Sequence, residues 1–268
     1  MQFPVIKYNH SKESYLKDSV VAENPLRLVL IHTVGGIPQK VDLGITLCTP
    51  DHTLDLMRGW LYHHQLINLE SVCQIHLSYS EPEKMITAST NQNLSKSLDK
   101  INRIGFRSTS CGYCGDLDLV LNDRIKPISF NDRMAISKQV LPDLGKTVWQ
   151  HQKRFQSTGS IHAAAAFDLS GSLVAIREDI GRHNALDKLT GNLLTKRTNF
   201  THSVLWLSSR MSFEMAHKAS VAGYPIVVSV GGPSSMAIQF CHRQKITLIG
   251  FCRENRYNIY TYPERIHS

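Results

Sequence analysis

The last hundred residues constrain the fold most. Short apolar runs alternate there with stretches of helical period: "VLWLSS", "MSFEMAHKASVAG", "PIVVSV", "PSSMAIQFCHRQK" and "ITLIGFC". The apolar runs are too short and too rich in β-branched residues for helices, so they are predicted as strands. Strands joined through a helix run parallel, and strands apolar on both faces need cover on both sides. The expected core is therefore a mostly parallel sheet flanked by helices, with Gly223 ending one of them. Just before it, "SIHAAAAFD" and "GSLVAIRED" are predicted as strands across "LSGS". "GRHNALDKLTGNLL" is predicted as a helix with Ala185, Leu186, Leu189 and Leu193 inward. A helical region is expected over 132–156, interrupted at Pro142.

The first hundred residues read as a smaller α+β portion. "PLRLVLIH" and "VDLGITLC" alternate as half-buried strands of a hairpin or meander. "TPDHTLDLMRGWLYHHQLI" predicts a helix with Thr49 as N-cap and Pro50 at its first position, and with Leu54, Met57 and Leu61 at helical spacing. Strands follow at "VCQIHLSY" and "KMITAST", and the polar segment "NQNLSKSLDKINR" leads into a loop, "FRSTSCGYCGD". The expected organisation is an N-terminal α+β domain over 1–105, a CxxC loop and linker over 106–128, and an α/β domain over 129–268.

Composition removes several function classes. No apolar run approaches the roughly 18 residues of a membrane span, and the N-terminus lacks the basic and apolar regions of a secretory signal. A cytoplasmic, non-membrane protein is expected. Six cysteines, only two of them close together, make no disulfide framework. The net charge of +8 calls for an anionic partner. With no basic run, zinc-finger spacing or RNA-recognition consensus, a phosphate-bearing small molecule is expected rather than nucleic acid.

The pair Cys111 and Cys114 allows several chemistries. Structural zinc needs a second pair, and none stands at recognisable spacing. His63 and His64 are adjacent on one helix and diverge, while Cys48, Cys73, Cys241 and Cys252 fall in or beside predicted elements, as small buried hydrophobes do. No metal is expected. The zinc deaminases carry H-x-E followed by P-C-x-x-C; here Ala164 replaces the Glu after His162, and the CxxC comes first and lacks the Pro. A thioredoxin-type couple opens a helix directly after a strand, whereas "LDLVL" beyond the motif is short and strand-like. A sulfur carrier needs only a thiolate on a loop with backbone freedom, which Gly112 and Gly115 supply and Arg107 assists. Three functions stay open: sulfurtransferase, dithiol oxidoreductase, and non-catalytic cofactor-binding chaperone.

"STSCGYCG", "GSIHAAAAFDLSGSLVAIREDIGRHNALDKLTG", "SSRMSFEMAHKASVAGYPIVVSV" and "ITLIGFCRENRYNIYTYPERI" together resemble the FdhD-type formate dehydrogenase accessory sulfurtransferases, nearly end to end. "VVAENPLRLVL" and "TPDHTLDLMRGWLYHHQLI" are similar to that family's opening. Tyr113, Asp116 and "GGPSSMA" depart from its usual pattern. The resemblance implies a cytidine-deaminase-like α/β core, a homodimer, and a role in molybdenum cofactor biosynthesis. Sulfur would pass from a cysteine desulfurase to Mo-bis(molybdopterin guanine dinucleotide), or its tungsten form, for formate dehydrogenase. By motif position Cys111 would carry the persulfide and Cys114 assist. Phe251, Cys252, Arg253, Glu254, Asn255 and Arg256 would line a guanine nucleotide site able to take GDP.

Two further clusters carry alternative readings. In "REDIGRHNALDK", Arg177, Glu178, Asp179, Arg182 and His183 stand at a strand-to-helix junction, where anions bind readily. Arg182 and His183 are candidates for cofactor contact, with a salt-bridge and capping network as the rival; Arg210 and Ser212 pose the same choice. "GGPSS", 231–235, is a phosphate cradle or a plain turn. In "FCRENR", Arg253 and Arg256 suit a diphosphate, Glu254 a guanine edge, and Phe251 or Tyr257 a ring face.

Overall fold

A computed structural model describes residues 1–10, 12–104, 134–254 and 256–268. The expectations for Cys111, Cys114 and Asn255, and for the CxxC lying on a loop, fall outside the described residues.

A six-stranded sheet forms the C-terminal half. Its strands are β8 (His162–Asp168), β9 (Leu173–Asp179), β10 (Ser203–Leu207), β11 (Ile226–Ser229), β12 (Thr247–Arg253) and β13 (Arg256–Thr261), in the order β13-β12-β11-β10-β8-β9. Only β10–β11 and β11–β12 pair in parallel; the other three pairings are antiparallel. The sheet is therefore mixed, which corrects the mostly parallel expectation. The cause is local at both edges. "LSGS" closes β8 onto β9 as a hairpin, the Asp168 carboxylate accepting from the N–H groups of Ser170 and Ser172. β12 turns straight back into β13, a strand the sequence reading did not foresee.

Alternate residues of each strand feed two cores. Leu205 and Leu207 point into one, with Val227, Leu248, α5 (Arg182–Thr195), α6 (Phe213–Ala222) and α7 (Ser235–Arg243). Val204 and Trp206 point into the other, against Leu141, Leu144 and Val148 of α3 (Leu141–His151). Pro142 lies in the first turn of α3, where its missing N–H costs nothing. The predicted 132–156 helix is thus a two-residue strand β7 (Ile136–Ser137), then α3, then α4 (Lys153–Thr158). β7 pairs with β14 (Ile266–His267) at the chain's end.

In the N-terminal part, β3 (Asn24–Val34) and β4 (Ile37–Cys48) make the expected hairpin. They join β6 (Met85–Ser89) and β5 (His76–Ser80) in a four-stranded sheet of order β4-β3-β6-β5, while β1 (Gln2–Asn9) and β2 (Lys12–Ser19) pair as a separate ribbon. The polar segment ahead of the CxxC includes a helix, α2 (Ser95–Ile104). Cys73, expected to be buried, is exposed beside the Arg197 guanidinium. Leu26, Leu28 and Leu30 of β3 share one core with Leu205 and Val227.

Helix α1 (Thr53–His63) couples the two parts by lying on α5. Glycine makes the crossing possible: a Cβ on Gly59 would stand 1.9 Å from the Asp187 carbonyl oxygen, and one on Gly191 1.9 Å from that of Asp55. The helix starts later than its Thr49-Pro50 signal predicts, with His52 as N-cap. Thr49 is occupied elsewhere: its N–H donates to Asp179, its hydroxyl accepts from the Ile180 N–H, and its carbonyl accepts from Lys188 Nζ.

Candidate functional site

Parallel strands end their carboxyl termini together, and the crevice beyond such ends is where open α/β sheets bind ligands. Here a cleft of about 940 Å³ lies there. Trp206, Ser208, Val230 and Cys252 line it from the ends of β10, β11 and β12, with His162 from the start of β8 and Ile180 after β9. Lys146, Trp149 and Phe155 line it from α3 and α4.

Among the described residues, Lys146, Arg253 and Glu254 are the charged ones lining the cleft, and two further cations act on its histidine. His162 Nδ1 lies 3.2 Å from Ser208 Oγ, which also accepts from the Ala163 N–H. Burial, and then the guanidinium groups of Arg182 and Arg210, push the imidazole's pKa down. The histidine therefore stays neutral beside two fixed cations. Arg182 is half-buried, and its Nε has no hydrogen-bond partner. His183 is buried with Nε2 likewise unpartnered, and burial, Lys218 and Arg182 push its pKa down to about 3.

Three residues of the predicted "FCRENR" site line the cleft: Cys252, Arg253 and Glu254. Arg253 and Arg256 are opposite each other across the β12–β13 hairpin, both exposed. Like charges directly opposite on a sheet repel, and an anion between them removes the penalty. Cys252 is buried, and burial pushes its thiol pKa up to about 11. Phe251 does not line the cleft. Its backbone is left-handed, φ 54°, and its ring covers Gly232, where a Cβ would come within 2.5 Å of it. Tyr257 packs on the core beneath the sheet.

The turn "GGPSS" spends N–H groups inside the protein. Those of Gly231 and Ser234 donate to the carbonyls of Ser209 and Met211, and the Ser234 hydroxyl caps α7 by accepting from Ala237. This is turn and cap chemistry. Most of "REDIGRHNALDK" is spent in the same way. Arg177 pairs with Asp55 at 2.9 Å, and Glu178 accepts from the N–H groups of Arg154 and Phe155 at the start of α4. Asp179 and Asp51 hold Lys188 at 2.6 and 2.8 Å. Asp187 holds Lys218 and His63 in the core between α1, α5 and α6. The motif is thus largely a seam binding the N-terminal part to α5, leaving Arg182 and His183 outside these pairs.

The sequence reading missed the helical wall of the cleft. Trp149 is 54% exposed and meets Phe155 edge-on at 5.7 Å. The signal was legible in "TVWQHQKRF", a large aromatic among polar residues. Among the described residues no three His, Cys, Asp or Glu side chains are placed to hold a metal ion, and no helix is long and apolar enough to cross a membrane.

Comparison with known proteins adds a lineage to this geometry. A model of the FdhD/NarQ family matches residues 23–267. The chain is 35% identical to a sulfur carrier protein FdhD of Sulfolobus acidocaldarius over 99% of both chains. It is 36% identical to one from Thermoplasma acidophilum, over 93% of this chain and 87% of that one. A crystal structure described as a formate dehydrogenase accessory protein from Desulfotalea psychrophila superimposes with a TM-score of 0.77 at 20% identity, covering 100% of this chain and 99% of that one.

Proposed function

The chain belongs to the FdhD/NarQ family, and from that premise we propose that it is a sulfurtransferase serving formate dehydrogenase. Cys111 accepts sulfur from a cysteine desulfurase as a persulfide and delivers it to the molybdenum or tungsten bis(molybdopterin guanine dinucleotide) cofactor, which is the substrate here. The names of its relatives, sulfur carrier proteins, support the first half of this reading.

The step balances without an outside oxidant. The Cys111 thiolate attacks the terminal sulfur of the donor's persulfide, an S–S bond forms at Cys111 as the donor's breaks, and the donor leaves as thiolate. Attack by Cys114 on the inner sulfur would then form the Cys111–Cys114 disulfide and release sulfur at the sulfide level for the cofactor. The protein works in this reading as a cytoplasmic homodimer. Its cytidine-deaminase-like core is a binding scaffold, since buried Ala164 stands where a deaminase places its general acid/base.

One observation carries the cofactor half: Arg253, which lines the cleft, opposes Arg256 across the hairpin, and the charges of Arg182 and Arg210 reach the cleft residue His162. A diphosphate satisfies such a set by charge-assisted hydrogen bonds. The test is calorimetry with GDP and, as a control for simple charge attraction, ADP. Replacing both Arg253 and Arg256 by Ala should weaken GDP at least tenfold and leave sulfur loading on Cys111 intact. Indistinguishable GDP and ADP binding, or unchanged GDP affinity in the double variant, would place the cofactor elsewhere on the fold.

A further inference from the structure

A ligand with a flat heteroaromatic ring and a diphosphate needs a ring platform as well as cations, and neither Phe251 nor Tyr257 lines the cleft. Phe251 is half exposed but lies over Gly232, and Tyr257 packs on the core. The opposite wall has what is missing. Trp149 lines the cleft, is more than half exposed, and its ring meets Phe155 edge-on. Lys146, one turn earlier on α3, lines the same wall. An indole packed against one ring on the wall of a cleft that also holds Lys146 and Arg253, with its surface still in water, is an unfilled stacking surface.

We infer that Trp149 is the ring platform of this cleft, stacking the planar base of the bound nucleotide while the arginines at the strand ends take its diphosphate. The inference rests on the nucleotide reading above and adds a residue that neither the motif nor the cation cluster indicates. Base–aromatic stacking tolerates any flat ring, so Trp149 supplies affinity, and the choice among bases is left to groups at the ring's edge.

Three proteins and two ligands test it: wild type, Trp149→Ala and Trp149→Phe, each titrated with GDP and with inorganic pyrophosphate, which has no ring. Trp149→Ala should lose about ten- to a hundredfold in GDP affinity and bind pyrophosphate as wild type does. Trp149→Phe should keep GDP affinity within a few-fold. GDP should quench wild-type tryptophan fluorescence, and the quench should shrink in Trp149→Phe, where Trp60 and the buried cleft residue Trp206 remain. Equal GDP affinity in wild type and Trp149→Ala, with the Arg253/Arg256 variant still impaired, overturns the stacking role and leaves the nucleotide site standing. Equal loss of GDP and pyrophosphate would overturn it too, as a fold defect. No GDP binding by wild type would overturn both readings.

Discussion

Replacing Asp187 by Asn would remove one charge from the middle of the protein with almost no change in shape. Asp187 is 1% exposed and Lys218 4%; Nζ lies 2.7 and 2.6 Å from the two carboxylate oxygens, and His63 Nδ1 lies 2.5 Å from one of them. Burial alone would raise the Asp187 pKa, but Lys218 and the His63 contact outweigh it and hold the carboxyl below the usual carboxylate range. Without that carboxylate, the Lys218 ammonium stays buried beside a neutral amide. Breaking a buried pair in this way costs about 3 to 5 kcal/mol, because the remaining charge is uncompensated. With a urea m value of about 3 kcal/mol/M, the unfolding midpoint should fall by about 1 to 1.7 M. Removing both charges, as in Asp187→Leu with Lys218→Met, should recover most of the loss, since an apolar pair needs no desolvation. Urea melts of Asp187→Asn, and of Asp187→Leu, Lys218→Met and their pair as a double-mutant cycle, followed by circular dichroism, measure this. A single-variant loss below about 1 kcal/mol, or a double variant as unstable as the sum of the singles, would refute the reasoning.

Other outcomes follow from the same packing and charge. Gly191→Ala gains about 1 kcal/mol in helix propensity but puts a methyl 1.9 Å from the Asp55 carbonyl oxygen; a net loss of about 1 to 3 kcal/mol should lower the melting temperature, and an unchanged or higher one contradicts the close crossing. Burial first, then neighbouring charges, push the pKa of His183 and His217 down to about 3 and that of His64 to about 4. Below the unfolded value near 6.5 the unfolded chain takes up protons that the native state refuses, so stability is full above that pH. It falls toward pH 4 by up to about 1.4 kcal/mol per histidine per pH unit, with the raised carboxyl of Asp179 opposing it. Urea melts from pH 7.5 to 4.5 read the slope, and a flat profile contradicts it. Cys252→Ala should leave sulfur loading unchanged, because a thiol pushed up to about 11 is not a thiolate at neutral pH; mass spectrometry that found the sulfur on Cys252 would reverse that.

The C-terminal strands and helices were legible because each is a short apolar run or an amphipathic repeat bounded by Gly or Pro, and Gly223 ends its helix as read. Strand direction at the sheet's edges was not, because parallel pairing was inferred from the βαβ run and extended over two hairpins whose signals are only "LSGS" and "REN". Thr49 and Pro50 look like a helix start in one dimension. Asp179 and Lys188, 130 and more residues away, claim that backbone instead. In the site, the arginines announced themselves by charge, while the ring platform showed only as one large aromatic among polar residues. A ring beside a diphosphate motif, such as Phe251, looks available until Gly232 is seen beneath it, and Trp149 comes from a helix more than a hundred residues upstream.

The central claim is that Cys111 carries sulfur. The direct measurement is intact-protein and peptide mass spectrometry after incubation with a cysteine desulfurase and cysteine. Wild type should gain one sulfur atom on the Cys111 peptide, reversibly with a thiol reductant; Cys114→Ser should still load in part, and Cys111→Ser should not load at all. Equal loading of Cys111→Ser and wild type would contradict the account.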